Sequence, residues 1–252
     1  MIYGLTPVRA AQAVLAKMAA IEVNALLQVG ITVLEKDRDG LFLIKMGQHT
    51  FTTKSDRPLE PGRDYWARMT QTREGIVHLT RLHPKPLLLQ KSFPETFDFS
   101  LLENLAEAKE PAKALKEALL QEMAHAASKK EFTGLTQLLL SLHQGVVSLP
   151  VRVGGRESLL QMRRGGTNGD LNQKSVEFYA SMNNLGPVEG VIRTAGPSRL
   201  LELELFYPRS VALLERHKER LQGFDRVDIR LKEKEIFPFW DGDTTALLDI
   251  KG

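Results

Sequence analysis

The 252-residue sequence predicts an α+β protein with a small N-terminal β-barrel-like (OB-like) domain, a helical linker and a C-terminal α+β domain. Three observations predict this class. Five short runs rich in β-branched and aromatic residues follow one another within 22–84. Leucines at helical spacing, interrupted by prolines, fill 85–144. Runs with period-two alternation occupy 145–232 and enclose one helical run.

Composition excludes several classes of protein. Hydrophobic residues make up 42% of the chain and charged residues 26%, so the chain can bury a core. The absence of cysteine excludes a disulfide framework, thiol catalysis and a cysteine zinc site. No apolar run reaches the roughly 18–20 residues that span a bilayer, and no secretory leader is recognisable, so no membrane insertion is expected. The net charge of +3 is dispersed along the chain, which does not favour nucleic acid as a partner.

The N-terminal part is expected to hold one helix and then a barrel. Thr6-Pro7 is an N-cap followed by a proline in the first turn, which predicts a helix over 7–20 within an N-terminal segment 1–21. The five β-rich runs of 22–84 predict five strands. We expect them to form a small closed barrel or a barrel-like sheet, and closure is favoured because an open sheet of so few strands would expose two edges. The runs are NALLQVGITVLEK, LFLIKM, HTFTTK, DYWARMTQT and GIVHLTRL.

Residues 85–144 are predicted to be a connector followed by helices. Prolines interrupt regular structure at the start of this region. Ser100 and Glu103 form a capping box, which predicts that a helix starts there. A second helical segment is predicted over 111–128 and a third over 133–144, both from the spacing of their leucines.

The C-terminal domain, 145–232, is predicted to pack a helix on an antiparallel sheet. Apolar and polar residues alternate in SVEFYASM and LLELEL, and Gly196-Pro197-Ser198 supplies a hairpin turn. Pro208 opens a helix that Gly223 closes, and a last alternating strand is predicted over 226–232. The residues expected to face inward are Val176, Phe178, Ala180, Met182, Leu201, Leu203, Leu205, Val211, Leu214, Leu221, Val227, Ile229 and Leu231.

No group of residues predicts an active site or a metal site. The glycine-rich run 165–169 lacks the glycine before the lysine of a phosphate loop and leads into a strand, so a hairpin turn is expected. His78 and His83 lie on a predicted strand at a spacing that directs them to opposite faces. Asp241-Gly242-Asp243 is expected to be a solvated turn, because it lacks the spread of ligands of a calcium loop. We therefore expect no enzyme activity, metal or cofactor.

The segment 233–252 is an aromatic and acidic tail that allows two interpretations. Phe237, Phe239 and Trp240 either cover a sheet face of their own domain or form an exposed anchor for a partner, since aromatic residues supply much of the energy of interfaces.

A stretch that begins at Leu185-Gly186-Pro187-Val188-Glu189 carries a family resemblance. With the strands VEGVIRT and LLELELFY, the helix PRSVALLERHKERLQ and the strand RVDIRL, it resembles the C-terminal domain of flagellar hook-length control proteins (FliK-type). The resemblance covers roughly 146–232. Gly190 replaces the branched residue that usually follows the Val-Glu pair. The residues that match the family are Leu185, Gly186, Val188 and Glu189 of the turn and strand, Leu201, Leu203 and Leu205 of the alternating strand, and Val211, Leu214 and Leu221 of the helix.

The resemblance implies a non-enzymatic role in flagellar assembly. The family's C-terminal domain contacts the switch protein of the flagellar type III export gate and shifts export from hook subunits to filament subunits. It also implies hook or hook-cap proteins as further partners, and a location in the bacterial cytoplasm with export through the flagellar apparatus. The long Gln/Ser/Pro-rich ruler segment of many relatives is absent from this sequence.

Two alternatives remain open from the residues alone. One is a nucleic-acid-binding protein that uses the N-terminal barrel, with Phe51, Tyr65 and Trp66 as stacking platforms. The other is an interaction module that is unrelated to flagella.

Overall fold

The computed structural model describes residues 18, 29–71, 77–91, 93, 104–105, 107–153, 156–165 and 173–242. Within them the chain is α+β, as predicted, with three α-helices and two mainly antiparallel sheets. The predicted helix over 7–20 lies outside the described residues except for Met18, which is buried in the main core. The helix predicted at Ser100 lies largely outside them as well.

The first sheet is open, so the expectation of a closed barrel is wrong. Its strand order is β3-β2-β1-β4-β5, and each neighbouring pair is antiparallel. In the part of the chain that the structure describes, β3 pairs only with β2, and β5 pairs only with β4. The physical reason lies in β3, which is five residues long and almost wholly exposed, so it has little apolar surface to bury by closure. The strands are β1 (Val29–Lys36), β2 (Phe42–Met46), β3 (His49–Thr53), β4 (Asp64–Gln71) and β5 (Val77–Pro84).

In its described residues, the helical linker contains a short 3-10 turn and two packed helices of more than ten residues each. The 3-10 turn spans Leu87–Gln90, α1 spans Pro111–Ala124, and α2 spans Lys129–His143. The start of α2 precedes the predicted position 133, because the Ser128 hydroxyl accepts a hydrogen bond from the Glu131 main-chain N–H (3.1 Å) and caps the helix there. Both helices bury leucines against the main core.

The second sheet has six strands in sequence order, from β6 to β11. All its pairs are antiparallel except β10–β11, which is parallel, so the prediction of an antiparallel sheet is wrong at this edge. The reason is the helix between these two strands, which returns the chain to the end of the sheet from which β10 started. The elements are β6 (Val147–Val153), β7 (Arg156–Arg164), β8 (Gln173–Met182), β9 (Gly186–Ala195), β10 (Ser198–Leu205), α3 (Pro208–Arg216), the 3-10 turn Lys218–Arg220 and β11 (Arg226–Leu231).

The alternating residues of the second sheet are buried as predicted, with one exception. Leu203 is 1% exposed and Leu205 fully buried, whereas Leu231, predicted to face inward, is 43% exposed. Leu231 is the last residue of an edge strand, so packing on the sheet covers it only in part. Gly196 takes a φ of +60° in the β9–β10 turn, as the hairpin prediction requires. The 165–169 run connects the antiparallel strands β7 and β8, and 166–172 lie outside the described residues.

Gly190, the residue that departs from the family pattern, is explained by its neighbour across the sheet. Phe178 of β8 pairs with Gly190 of β9, and a Cβ added at Gly190 would lie 2.2 Å from the Phe178 ring. The ring of Phe178 therefore fills the space that a branched side chain would take.

We expect the Gly190→Ala substitution to lower the free energy of unfolding by about 1–3 kcal/mol, the usual cost of overpacking. In the Phe178→Leu background the cost of Gly190→Ala should be smaller, because the two changes act on one space. Urea denaturation of the four proteins of this double-mutant cycle measures both values. Equal stability of Gly190→Ala and the parent protein would contradict the assignment.

Candidate functional site

The tail segment, defined here as residues 233–242, runs back between the two sheets. Ile236 within it is 1% exposed and belongs to the main core. The Arg57 guanidinium, in the loop after β3, bonds to the carboxylate of Glu235 (2.5 Å). The tail segment therefore contacts the first sheet as well as its own domain.

Gln161 of β7 fastens the tail segment to the second sheet. Its buried side-chain amide donates to the Trp240 carbonyl (2.6 Å) and accepts from the Trp240 main-chain N–H (3.2 Å). The Arg163 guanidinium lies 4.0 Å from the centre of the Phe239 ring. Phe239 and Trp240 thus cover a face of their own domain, whereas Phe237 is 55% exposed.

Asp241 joins the tail segment to the linker and to the first sheet. Its carboxylate accepts a hydrogen bond from the Leu87 main-chain N–H (2.7 Å) and one from Arg63 (3.0 Å). Burial raises the pKa of Asp241, and the Leu87 N–H and the Arg63 guanidinium oppose that rise. The prediction that Asp241 sits in a solvated turn is wrong, because this carboxylate holds two separate parts of the fold together.

His83, at the end of β5, fills the junction between the sheets. Its ring centre lies 6.0 Å from that of Trp66, 5.2 Å from that of Phe206 and 5.5 Å from that of Phe237. Its Nδ1 lies 2.9 Å from the Pro84 carbonyl. Burial lowers the pKa of His83, so the neutral imidazole is the favoured form in this apolar site.

Arg81 forms a β-bulge that turns β5 toward the second sheet. Thr80 pairs with Arg68 and His83 with Trp66, so Arg81 and Leu82 together lie opposite the single residue Ala67. The φ of Arg81 is +50°, in the left-handed region that side chains other than glycine and asparagine seldom adopt.

Two contacts from the second domain hold the bulge. The Tyr207 hydroxyl donates a hydrogen bond to the Arg81 carbonyl (3.0 Å). The Arg81 guanidinium lies 4.9 Å from the centre of the Phe206 ring, within range of a cation–π interaction. Backbone strain at this position is therefore offset by contacts with the residues that follow β10.

A groove of about 710 Å³ opens beside the bulge, between the two edges of the first sheet. Phe51–Thr53 of β3 and His78–Leu82 of β5 line it on opposite sides, although these strands are the first and last of the sheet. Its floor includes the buried residues Ile31 and Ile44, and Glu233 and Glu235 of the tail segment line one wall. Phe51, 44% exposed, is its most accessible aromatic residue.

The structure separates the predicted stacking platforms. Tyr65 is 5% exposed and Trp66 is 1% exposed, so neither ring can stack on a base in this fold. Phe51 alone of the three lies at the surface and lines the groove. This arrangement does not favour the nucleic-acid alternative.

The residues of the family motif do not line the groove. Leu185, Val188 and the leucines of β10 are in the core of the second sheet. Gly186 takes a φ of +77° in the turn before β9. Glu189 accepts a bond from Lys232 (2.6 Å), and that ammonium group lies 2.8 Å from the Glu204 carboxylate. The motif therefore marks the scaffold of the second domain, together with one ion-pair cluster on its surface.

Sequence reasoning missed the roles of the three residues that define the junction: Arg81, His83 and Asp241. The left-handed conformation of Arg81 has no sequence signal, since arginine is not a typical residue for it. The partners of Asp241 are 154 and 178 residues away along the chain, which no local pattern can reveal.

Comparisons with known proteins give no relative: no protein-family model, curated protein or solved structure matches this chain. Within the described ranges, no three acidic or histidine side chains form a group that could hold a metal ion. None of the helices described is long and apolar enough to cross a membrane.

We expect the Arg81→Val protein to be less stable than the Arg81→Asn protein by about 1 kcal/mol, because a β-branched residue tolerates the left-handed region poorly and asparagine tolerates it well. Both substitutions remove the contact with Phe206, so their difference isolates the backbone effect. Thermal unfolding of the two proteins at one pH measures it. Equal midpoints would contradict the bulge conformation.

The lowered pKa of His83 predicts a loss of stability in mild acid. The contribution of neutral His83 to the free energy of unfolding is fully present above the ordinary histidine pKa of about 6.5. It is lost as the pH falls below that value, because the folded state takes up the proton less readily than the unfolded chain does. Unfolding midpoints between pH 7.5 and 5.5 should therefore fall in the parent protein and fall less in the His83→Phe protein. The exposed His49→Phe substitution is the control and should keep the parent slope. An unchanged slope in His83→Phe would show that another group causes the effect.

Proposed function

We propose that this chain is a compact relative of the flagellar hook-length control proteins and acts as a switch factor for type III export. In this proposal it works by protein–protein contact, without catalysis. Its partner is the switch protein of the flagellar export gate, with hook or hook-cap proteins as further contacts. Its location is the bacterial cytoplasm, with export through the flagellar apparatus.

The observation that supports this most is the agreement between the motif and the structural role of each residue in it. Leu185 is buried, and its carbonyl accepts a hydrogen bond from the Ser210 hydroxyl of α3 (2.8 Å). Gly186 has the positive φ for which glycine is favoured. Strands β9 and β10, helix α3 and strand β11 then follow in the order that the resemblance implies.

The surface of the C-terminal domain carries charged residues that are suited to contact with another protein. On the face of the sheet opposite the leucines of β10, charged side chains form ion pairs across neighbouring strands. Arg193 pairs with Glu202 (3.1 Å), and Lys232 bridges Glu189 and Glu204. These pairs are partly exposed, so their net stabilisation is small, and a partner's charges can exchange with them at low cost.

The contacts of the tail segment bear on whether its aromatic residues cover their own domain or form an anchor for a partner. Phe239 and Trp240 pack on the chain itself, which leaves Phe237 as the one of the three that is accessible to a partner. We include Phe237 in the proposed contact surface, together with the exposed part of Glu189.

Deletion of the gene is expected to lengthen hooks or to block filament assembly in the bacterium that encodes it. The parent gene on a plasmid should restore hook length, whereas Gly186→Val should not, because valine cannot readily adopt the φ of +77° in the motif turn. Gly40→Val is the matched control, since Gly40 has a similar φ of +80° in a turn of the first sheet. Electron microscopy of hooks and swimming assays measure the outcome.

Normal hooks and full motility in the deletion strain would contradict the proposal. Equal restoration by Gly186→Val and Gly40→Val would show that the motif turn is not what the function requires.

A further inference from the structure

The first sheet presents two strand edges to one groove. β3 and β5 end the sheet on either side, and residues from both line the same cavity. Strand edges carry main-chain N–H and C=O groups that can pair with another extended chain. An open sheet whose two edges border one groove is therefore suited to receive a further strand.

The two edges are not equivalent. On β5, the carbonyl of Arg81 already accepts a hydrogen bond from the Tyr207 hydroxyl, and the bulge interrupts the regular spacing of the strand. On β3, in the described part of the chain, the main-chain hydrogen bonds that involve His49–Thr53 are those of its pairing with β2. The outer edge of β3 is thus the better template, with room for an added strand of about five residues.

The floor and the rim of the groove indicate which kind of strand fits. Ile31, Ile44, Met46, Leu79 and Leu82 give an apolar floor on which the alternate side chains of a strand can pack. Apart from His78, the charged residues of the lining are balanced in sign, so the rim does not attract a polyanion such as nucleic acid. The positively charged residues are Lys54, Arg57 and Arg81, and the negatively charged residues are Asp56, Glu233 and Glu235.

We propose that this groove binds an extended, largely uncharged segment of a partner protein, which adds as a strand to the outer edge of β3. Alternate apolar side chains of that segment pack against Phe51 and the floor of the groove, and its main chain pairs with β3. This binding activity is independent of the flagellar role proposed above and does not require it.

The test uses the full chain and a displayed library of random decapeptides. We expect enrichment of peptides whose apolar residues alternate with period two. The affinity of a synthetic, fluorescently labelled peptide from that pool should fall at least tenfold for Phe51→Asp. Phe132→Asp is the matched control, because Phe132 is similarly exposed (48%) on α2 and does not line the groove, and it should leave the affinity unchanged.

Main-chain methylation of the peptide tests the strand geometry without changing the protein. Alternate amides of an added strand point toward the neighbouring strand, so N-methyl groups at one set of alternate positions should abolish binding, and those at the other set should not. Failure to enrich any peptide, equal binding by Phe51→Asp, or indifference to methylation at both sets would each overturn the proposal. A dimer in analytical ultracentrifugation that Phe51→Asp disrupts would overturn it as well, because the occupant would then be a second copy of this chain.

Discussion

The arrangement of the two sheets depends on one partly buried carboxylate. Asp241 accepts hydrogen bonds from the main chain of Leu87 and from the guanidinium of Arg63, and so ties the tail segment to the linker and to the first sheet. Without these donors the partly desolvated carboxylate would lack protein hydrogen-bond partners, so the two bonds favour this position of the tail segment. Gln161 fixes the neighbouring Trp240 by both of its main-chain polar groups, which extends the same constraint to β7.

The contacts that join the sheets also account for the open edge of the first one. β5 bends at Arg81 and is held by Tyr207 and Phe206, both from the residues that follow β10, so its end is packed on the second domain rather than on β3. β3 has only Phe51 as a large apolar residue and gains little by crossing the groove. The groove therefore results from the packing of β5 on the second domain. Glu233 and Glu235 of the tail segment, which line one wall of the groove, belong to the same junction.

The sequence predicts the class, most strands and the core of the second sheet, because alternation in β8 and β10 is a local property. It does not predict what depends on distant residues. Tyr179 and Ser181 lie on the more polar side of β8, yet both are fully buried, because the tail segment passes over that face near Gln161. For the candidate site, the sequence named Phe51 together with Tyr65 and Trp66 and did not distinguish the exposed ring from the two buried ones. The bulge at Arg81 has no sequence signal, because it arises from a register shift between β4 and β5.

The tail segment also sets the order in which the molecule can be completed during synthesis. Arg57 and Arg63 bond to residues that lie 178 positions later in the chain. The first sheet therefore emerges from the ribosome long before these partners are synthesised. During that interval the first sheet relies on its own cluster of six buried residues. Glu233 and Glu235, which line the groove in the finished protein, are also absent for that period.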